Sequence, residues 1–227
     1  MSIKAVIFDF DGVIADSEPC HLAAFNQVFA QFGIELDPET YYEKYLGCTD
    51  WELIEDVQRD YKIGFAGKSI EQIAEDKTKV FQKLIGAGES LIDGVVEFVA
   101  ELKKNNIRVA INSGAIAADI ELMLKGTEIE KAFEVIVSAD DVEKGKPDPQ
   151  GYLLALEKLN ANSKNKIAAG ECAVIEDSKW GIIAAKKAGM KVIGITNSYP
   201  AKELAGSDLI IDSVRNLKIA DLHNLCS

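Results

Sequence analysis

Two aspartates one residue apart, Asp9 and Asp11, stand where the apolar run of residues 6–10 ends, with Gly12 directly after. An unpaired buried carboxylate is expensive, so acids placed there need a partner of opposite charge. Three more polar groups follow later apolar runs: Asn112, Ser113 and Gly114; Lys146 within EKGKPDP, reached through a loop; and Glu176, Asp177 and Ser178. Clustered carboxylates cannot all stay ionised without a cation. A few hard oxygen donors with room for water suit Mg²⁺. Mg²⁺ with a lysine and a hydroxyl makes a phosphoryl-binding arrangement, in which metal and ammonium neutralise charge and the hydroxyl orients an oxygen. An aspartate free to attack phosphorus would form an aspartyl-phosphate. A second aspartate two residues on lies on the same side of an extended strand, where it can exchange a proton with the leaving oxygen and then with water.

The elements that must bring these groups together are short strands alternating with helices. Residues 4–10, 107–112, 133–138, 173–176, 191–196 and 208–212 are apolar on both sides of the strand alternation, as strands covered on both faces are. Helical patterns lie between them: residues 95–106, residues 149–160 starting at Pro149, and residues 179–189 stopping at Gly189. This rhythm predicts an α/β fold, a Rossmann-like parallel sheet with helices on both faces. Ligands of such a sheet bind beyond the carboxyl ends of its strands, and the four polar groups all fall there. From about residue 18 to 88 the rhythm stops. Residues 18–33, 51–61 and 69–86 read as amphipathic helices with no strand among them. The organisation expected is a core of residues 1–15 and 90–227 with an inserted α-helical domain of 16–89, hinged near residues 15–17 and 86–92.

Composition narrows the partners. The chain has 227 residues, is 48% hydrophobic and carries a formal charge of −12. That charge argues against nucleic acid, which needs basic patches, and against anionic membranes. Cys20, Cys48, Cys172 and Cys226 are far apart with no CxxC, so they read as reduced packing residues in a cytoplasmic protein. Acids interrupt the first apolar run too early for a signal peptide.

A lone DxD is usually a solvated turn, GKPDP a loop, and an acidic pair at a strand end a helix cap. Their joint appearance in this order is far more specific. DFDGVIADSEP, the NS of INSG, GKPDP and VIEDS resemble the four signature motifs of the haloacid dehalogenase superfamily, from residue 4 to about 212. The pattern is nearest to the β-phosphoglucomutase-like and phosphoglycolate phosphatase-like members, whose helical insert is called a C1 cap. The resemblance implies a Mg²⁺-dependent phosphatase acting on a small phosphorylated metabolite. It makes Asp9 the nucleophile and a metal ligand, and Asp11 the general acid/base that also gives its carbonyl to the metal. Ser113 and the backbone N–H of Gly114 hold the phosphoryl group, and Lys146 neutralises it. Asp177 ligates the metal, and Glu176 assists directly or through water. After Ser113 this chain has Gly114 and Ala115 where many relatives carry more hydroxyls.

The insert is where specificity is expected. Sugar-phosphate mutases of the family carry basic residues on either side of the glycine matching Gly47, in KYLGCTDWEL; this chain has Leu46 and Asp50. An acid there would repel a second phosphate, which favours a hydrolase over a mutase. A phospho-accepting regulatory protein without turnover is the remaining alternative, and Asp11 and the cap speak against it. His21, Lys44, Gly47, Thr49 and Lys77 are the substrate-side candidates, each competing with an ordinary helix role. GFAGKS (64–69) is not a phosphate-binding P-loop, because position 62 is lysine and no strand precedes it. With only His21 and His223 in the chain, a zinc site or a Ser-His-Asp triad is not expected. Trp51 and Trp180 are expected to pack, and the protein to be a monomer or weak dimer.

Overall fold

The computed structural model describes residues 2–46, 48–85, 91–161 and 163–226. In chain order the elements are β1 (Ala5–Phe8), then α1 (Glu18–Phe29), α2 (Pro38–Thr40), α3 (Asp50–Tyr61), α4 (Ile70–Leu84) and α5 (Val95–Lys104). There follow β2 (Arg108–Asn112), α6 (Ala117–Leu124), β3 (Val135–Val137), α7 (Gln150–Asn160) and β4 (Cys172–Glu176). The chain continues with α8 (Lys179–Lys187), β5 (Lys191–Ile195), β6 (Leu209–Ile211) and α9 (Ile219–Asn224). It divides into two compact units, Met1–Asp16 with Ala87–Ser227, and Ser17–Gly86.

The first unit holds one parallel six-stranded sheet in the order β3-β2-β1-β4-β5-β6. β1 is central, and all four of its residues are buried. Its alternation serves two cores. Ala5 and Ile7 join Tyr152, Ala155 and Leu159 of α7 and Ile182 of α8 in one cluster. Phe8 points the other way, edge-on to Phe98 of α5 and to Phe133. Helices therefore cover both faces, which is why the strands read as continuous apolar runs. The register sets Phe8 beside Ile111 of β2 and Ile175 of β4. The next residues, Asp9, Asn112 and Glu176, thus stand at one level of the sheet. The strand order reverses between β1 and β4, the topological switch point where ligands of such sheets bind.

Among its described residues the second unit contains helices joined by loops, and no strand. Its core joins Phe25, Phe29, Leu36, Leu53, Ile54, Val57, Phe65 and Ile73, with the Phe29 and Phe65 rings stacked at 5.9 Å. Thr49 and Ser69 start α3 and α4 with capping boxes to Glu52 and Gln72, each satisfying orphan N–H groups of the first turn.

The packing expected of the two tryptophans is corrected. Trp51 and Trp180 are each 47% exposed. Both lie off the buried stripes of their helices, which run through Leu53, Ile54 and Val57 in α3 and through Ile182, Ala184 and Ala185 in α8. All four cysteines are free thiols. Among the described residues no helix is long and apolar enough to cross a membrane.

Candidate active site

The chain turns sharply after β1. The N–H of Gly12 donates to the Ala15 carbonyl at 2.8 Å, and Ile14 and Ala15 both donate to Phe10. Gly12 has φ +73°, and a Cβ there would lie 1.9 Å from Oδ2 of Asp177. Glycine is needed twice over, for the left-handed backbone and for the close approach of the neighbouring strand end. This turn carries Asp11, which is partly exposed, past the buried Asp9.

Asp9, Glu176 and Asp177 each offer a carboxylate oxygen within 4.8 Å of the others. Against these three negative charges stands Lys146, whose Nζ lies 2.6 Å from Oδ1 of Asp9 and 2.5 Å from Oε1 of Glu176. Burial alone would favour the neutral amine, but Asp9 and Glu176 outweigh it and hold the ammonium well above the usual lysine range. One cation does not balance three acids. Burial, followed by Glu176, raises the Asp9 carboxyl well above the usual carboxylate range despite Lys146. Burial and then Glu176 push Asp177 up to about 7, with Asp11 acting in the same direction. The residual charge of two negatives, on hard oxygen donors, fits a divalent hard cation. The donor chemistry present therefore suits a metal.

Glu176 differs from its neighbours. It is fully buried, and each of its oxygens already accepts two hydrogen bonds. Oε1 takes Lys146 Nζ and the Tyr152 hydroxyl at 2.9 Å; Oε2 takes the Ser178 N–H at 3.0 Å and the Ser178 hydroxyl at 2.9 Å. Ser178 in turn caps α8 by accepting from the Gly181 N–H at 3.1 Å. Glu176 is thus the anchor of Lys146.

Ser113 and Gly114 lie just past the end of β2. Ser113 is buried, and its Oγ accepts from the Ala115 N–H at 2.9 Å. Ser113, Gly114 and Lys146 line one cavity of about 140 Å³ together with Asn112, Gly145 and Gly151.

The helical unit holds a second polar cluster. Lys77 is 2% exposed. Its Nζ donates to both oxygens of Asp50, at 2.8 and 2.9 Å, and to Nδ1 of His21 at 2.6 Å. It also lies over the Phe25 and Phe81 rings at 4.7 and 4.9 Å. An ammonium has no acceptor to offer, so His21 accepts on Nδ1 and is the neutral Nε2–H tautomer. Burial first, then Lys77, pushes its pKa down to about 3. Lys44 and Thr49 make other contacts. Lys44 pairs with Asp60 on the surface, Thr49 caps α3, and Gly47 falls outside the described residues.

Three residues that the motifs do not point to also reach the site. Tyr152 reads as a core residue of α7, yet its hydroxyl bonds Glu176. Asn197 Nδ2 donates to the Gly12 carbonyl at 2.8 Å, and the Ser198 hydroxyl donates to Oδ2 of Asp177. Asn197 and Ser198 follow β5, so the strand-end rule that selects Asp9, Asn112 and Glu176 also reaches them.

Comparison with known proteins agrees with this geometry. The family model described as haloacid dehalogenase-like hydrolase matches residues 6–195. The chain is 33% identical to protein CbbY of Cereibacter sphaeroides, over 95% of this chain and 94% of that protein. It is 30% identical to the beta-phosphoglucomutase of Bacillus subtilis, over 97% and 94%. It is 31% identical to the phosphorylated carbohydrates phosphatase of Thermotoga maritima, over 86% and 87%. The crystal structure of CbbY from Rhodobacter sphaeroides in complex with xylulose-(1,5)bisphosphate superposes with a TM-score of 0.80 at 32% identity, covering 95% of this chain and 96% of that one. The chain belongs to the haloacid dehalogenase-like hydrolases.

Proposed function

We propose that the protein is a Mg²⁺-dependent phosphatase that hydrolyses a small phosphorylated sugar through an aspartyl-phosphate on Asp9. The observation that carries this reading is the cluster of the buried acids Asp9, Asp177 and Glu176 with the partly buried Lys146 at the switch point of the sheet.

Asp9, Asp177 and the Asp11 carbonyl would hold the metal, with Glu176 anchoring Lys146. When bound, Mg²⁺ supplies the positive charge that lets two anions, carboxylate and phosphate, approach one another. Every further step belongs to side chains. A carboxylate oxygen of Asp9 attacks phosphorus as the bond from phosphorus to the ester oxygen breaks. Asp11 gives that oxygen its proton, and the alcohol leaves. Water then attacks the phosphoryl group, Asp11 takes its proton, and inorganic phosphate departs with Asp9 restored. Lys146 balances charge on the attacking and transferring oxygens. The Ser113 hydroxyl and the Gly114 N–H hold the phosphoryl oxygens.

Relatives of this chain include both phosphatases and a mutase. Supporting hydrolysis, the chain has Leu46 and Asp50 where the mutases of the family carry basic residues, and the Lys77 ammonium is engaged by Asp50. The test is release of inorganic phosphate from p-nitrophenyl phosphate and a panel of sugar phosphates with Mg²⁺. Glucose 1,6-bisphosphate-dependent isomerisation without net phosphate release would assign the protein to the mutases instead. No release from any ester, with Mg²⁺ bound, would leave a phospho-accepting regulatory protein.

A further inference from the structure

The structure assigns the loop after β5 a role in metal binding: Ser198 is a positioning residue that fixes the carboxylate of Asp177, and Asn197 fixes the Gly12 turn beside it. This rests on the proposed metal-dependent reading of the site.

Three segments distant in sequence meet at one point. The Ser198 hydroxyl donates to Oδ2 of Asp177. Asn197 Nδ2 donates to the carbonyl of Gly12 at 2.8 Å. A Cβ built on Gly12 would meet Asp177 Oδ2 at 1.9 Å and Ser198 Oγ at 2.7 Å, so the turn, the carboxylate and the hydroxyl are in mutual van der Waals contact. Asp177 is 5% exposed, and Ser198 provides it a directional donor on one oxygen.

A carboxylate held on one oxygen presents the other in a fixed direction. One oxygen of Asp177 lies within 4.8 Å of those of Asp9 and Glu176. With Oδ2 committed to Ser198, Oδ1 remains for the cation. Without the hydroxyl, the carboxylate is free to turn about its terminal torsion, a broad and soft one. Partners that orient a metal-binding side chain matter nearly as much as the ligand itself. The Asn197 bond does for the Asp11 turn what Ser198 does for Asp177: it holds the two metal-binding segments from β1 and β4 against a third strand end.

The test is isothermal titration of Mg²⁺ into metal-free wild type, Ser198→Ala and Ser198→Thr, with turnover measured against Mg²⁺ concentration. Removing the hydroxyl is expected to weaken Mg²⁺ binding roughly 10- to 100-fold and to raise the Mg²⁺ needed for half-maximal rate by the same factor. The change in kcat at saturating Mg²⁺ should be smaller. Ser198→Thr, which keeps the hydroxyl, should restore affinity. Ser198→Cys, nearly isosteric with a weak donor, reads the same effect should the alanine variant not fold. Variants lacking the hydroxyl that bind Mg²⁺ as tightly as wild type would overturn this inference alone. Wild-type protein that binds no Mg²⁺ would overturn it together with the proposed function.

Discussion

Lys146 shares one ammonium between two acids that the chain places 167 residues apart in sequence, with Nζ 2.6 Å from Oδ1 of Asp9 and 2.5 Å from Oε1 of Glu176. The geometry makes the lysine a structural counter-ion, and the proposed function makes it a chemical one as well. Replacing it with methionine keeps the stem and removes the charge. Breaking a buried pair on one side costs about 3–5 kcal/mol, because the stranded carboxylates remain. Loss of one charge-stabilising donor costs on the order of 10²–10³ in kcat. Lys146→Met should show both, a lower melting temperature in EDTA and a collapsed kcat with Mg²⁺. A variant with wild-type kcat would remove Lys146 from the reaction.

Tyr152 tests whether the anchor matters apart from the charge. Its hydroxyl is the second donor to Oε1 of Glu176, and Lys146 Nζ lies 5.6 Å from its ring centroid. Tyr152→Phe keeps the ring and its packing against Ala155 and Leu159. One hydrogen bond to a charged acceptor contributes about 1.5–3 kcal/mol. The expected outcome is a loss of that size in urea unfolding, with a fall in kcat as Lys146 loses its fixed position. Unchanged kcat alongside the stability loss would make Tyr152 a core residue only.

Gly181 sets two opposing effects against each other. Alanine in a helix is worth up to about 1 kcal/mol over glycine. Here a Cβ would lie 1.6 Å from Oε1 of Glu176, a fully buried carboxylate held by four donors. Overpacking typically costs about 1–3 kcal/mol, and this acceptor cannot move without giving up Lys146. Gly181→Ala is therefore expected to destabilise the fold despite its better helix propensity. A rise in melting temperature would show that Glu176 is not fixed.

How far the sequence reached is clearest at particular residues. The central strands were legible because β1, β2 and β4 are buried on both faces and read as unbroken apolar runs. Their ends were less so: residues 133–138 shrink to Val135–Val137, an edge strand paired only with β2. The convergence of Asp9, Lys146, Glu176 and Asp177 follows from parallel strands, which deliver their carboxyl ends to one side. Tyr152 was hidden because a tyrosine in an apolar helical stripe looks like core, and only tertiary packing shows what its hydroxyl meets. The pairing of Lys77 with Asp50 and His21 joins three helices, and no local periodicity carries information on which helix faces which. Trp51 and Trp180 misled because size and hydrophobicity alone do not set helical phase.

Asp9→Asn separates chemistry from stability. An amide cannot attack phosphorus as a carboxylate does, so turnover should be lost. The same change removes one of three crowded acids while Lys146 keeps Glu176 as a partner. Metal-free variant protein at pH 8 should melt above metal-free wild type, the usual trade of stability for function at a strained site. Mg²⁺ should narrow that gap, since it stabilises the acids of the wild type by binding only the folded form. Retained turnover would remove Asp9 as the nucleophile.

His21 gives the helical unit a pH response of known sign. Its pKa is pushed down to about 3 in the folded chain, against about 6.5 when unfolded. Below pH 6.5 the unfolded chain binds a proton that the folded chain refuses, so this group's contribution is whole above pH 6.5 and declines as pH falls toward 3. At pH 5 the loss is at most about 2 kcal/mol, less to the extent that solvent reaches the half-buried ring. His21→Gln can still accept from Lys77 but has no proton to take. Melting temperatures of the two proteins should converge, or cross in favour of glutamine, between pH 7 and pH 5. A constant difference across that range would mean that the His21 ring titrates normally, and the Lys77 bond to Nδ1 would then not persist in solution.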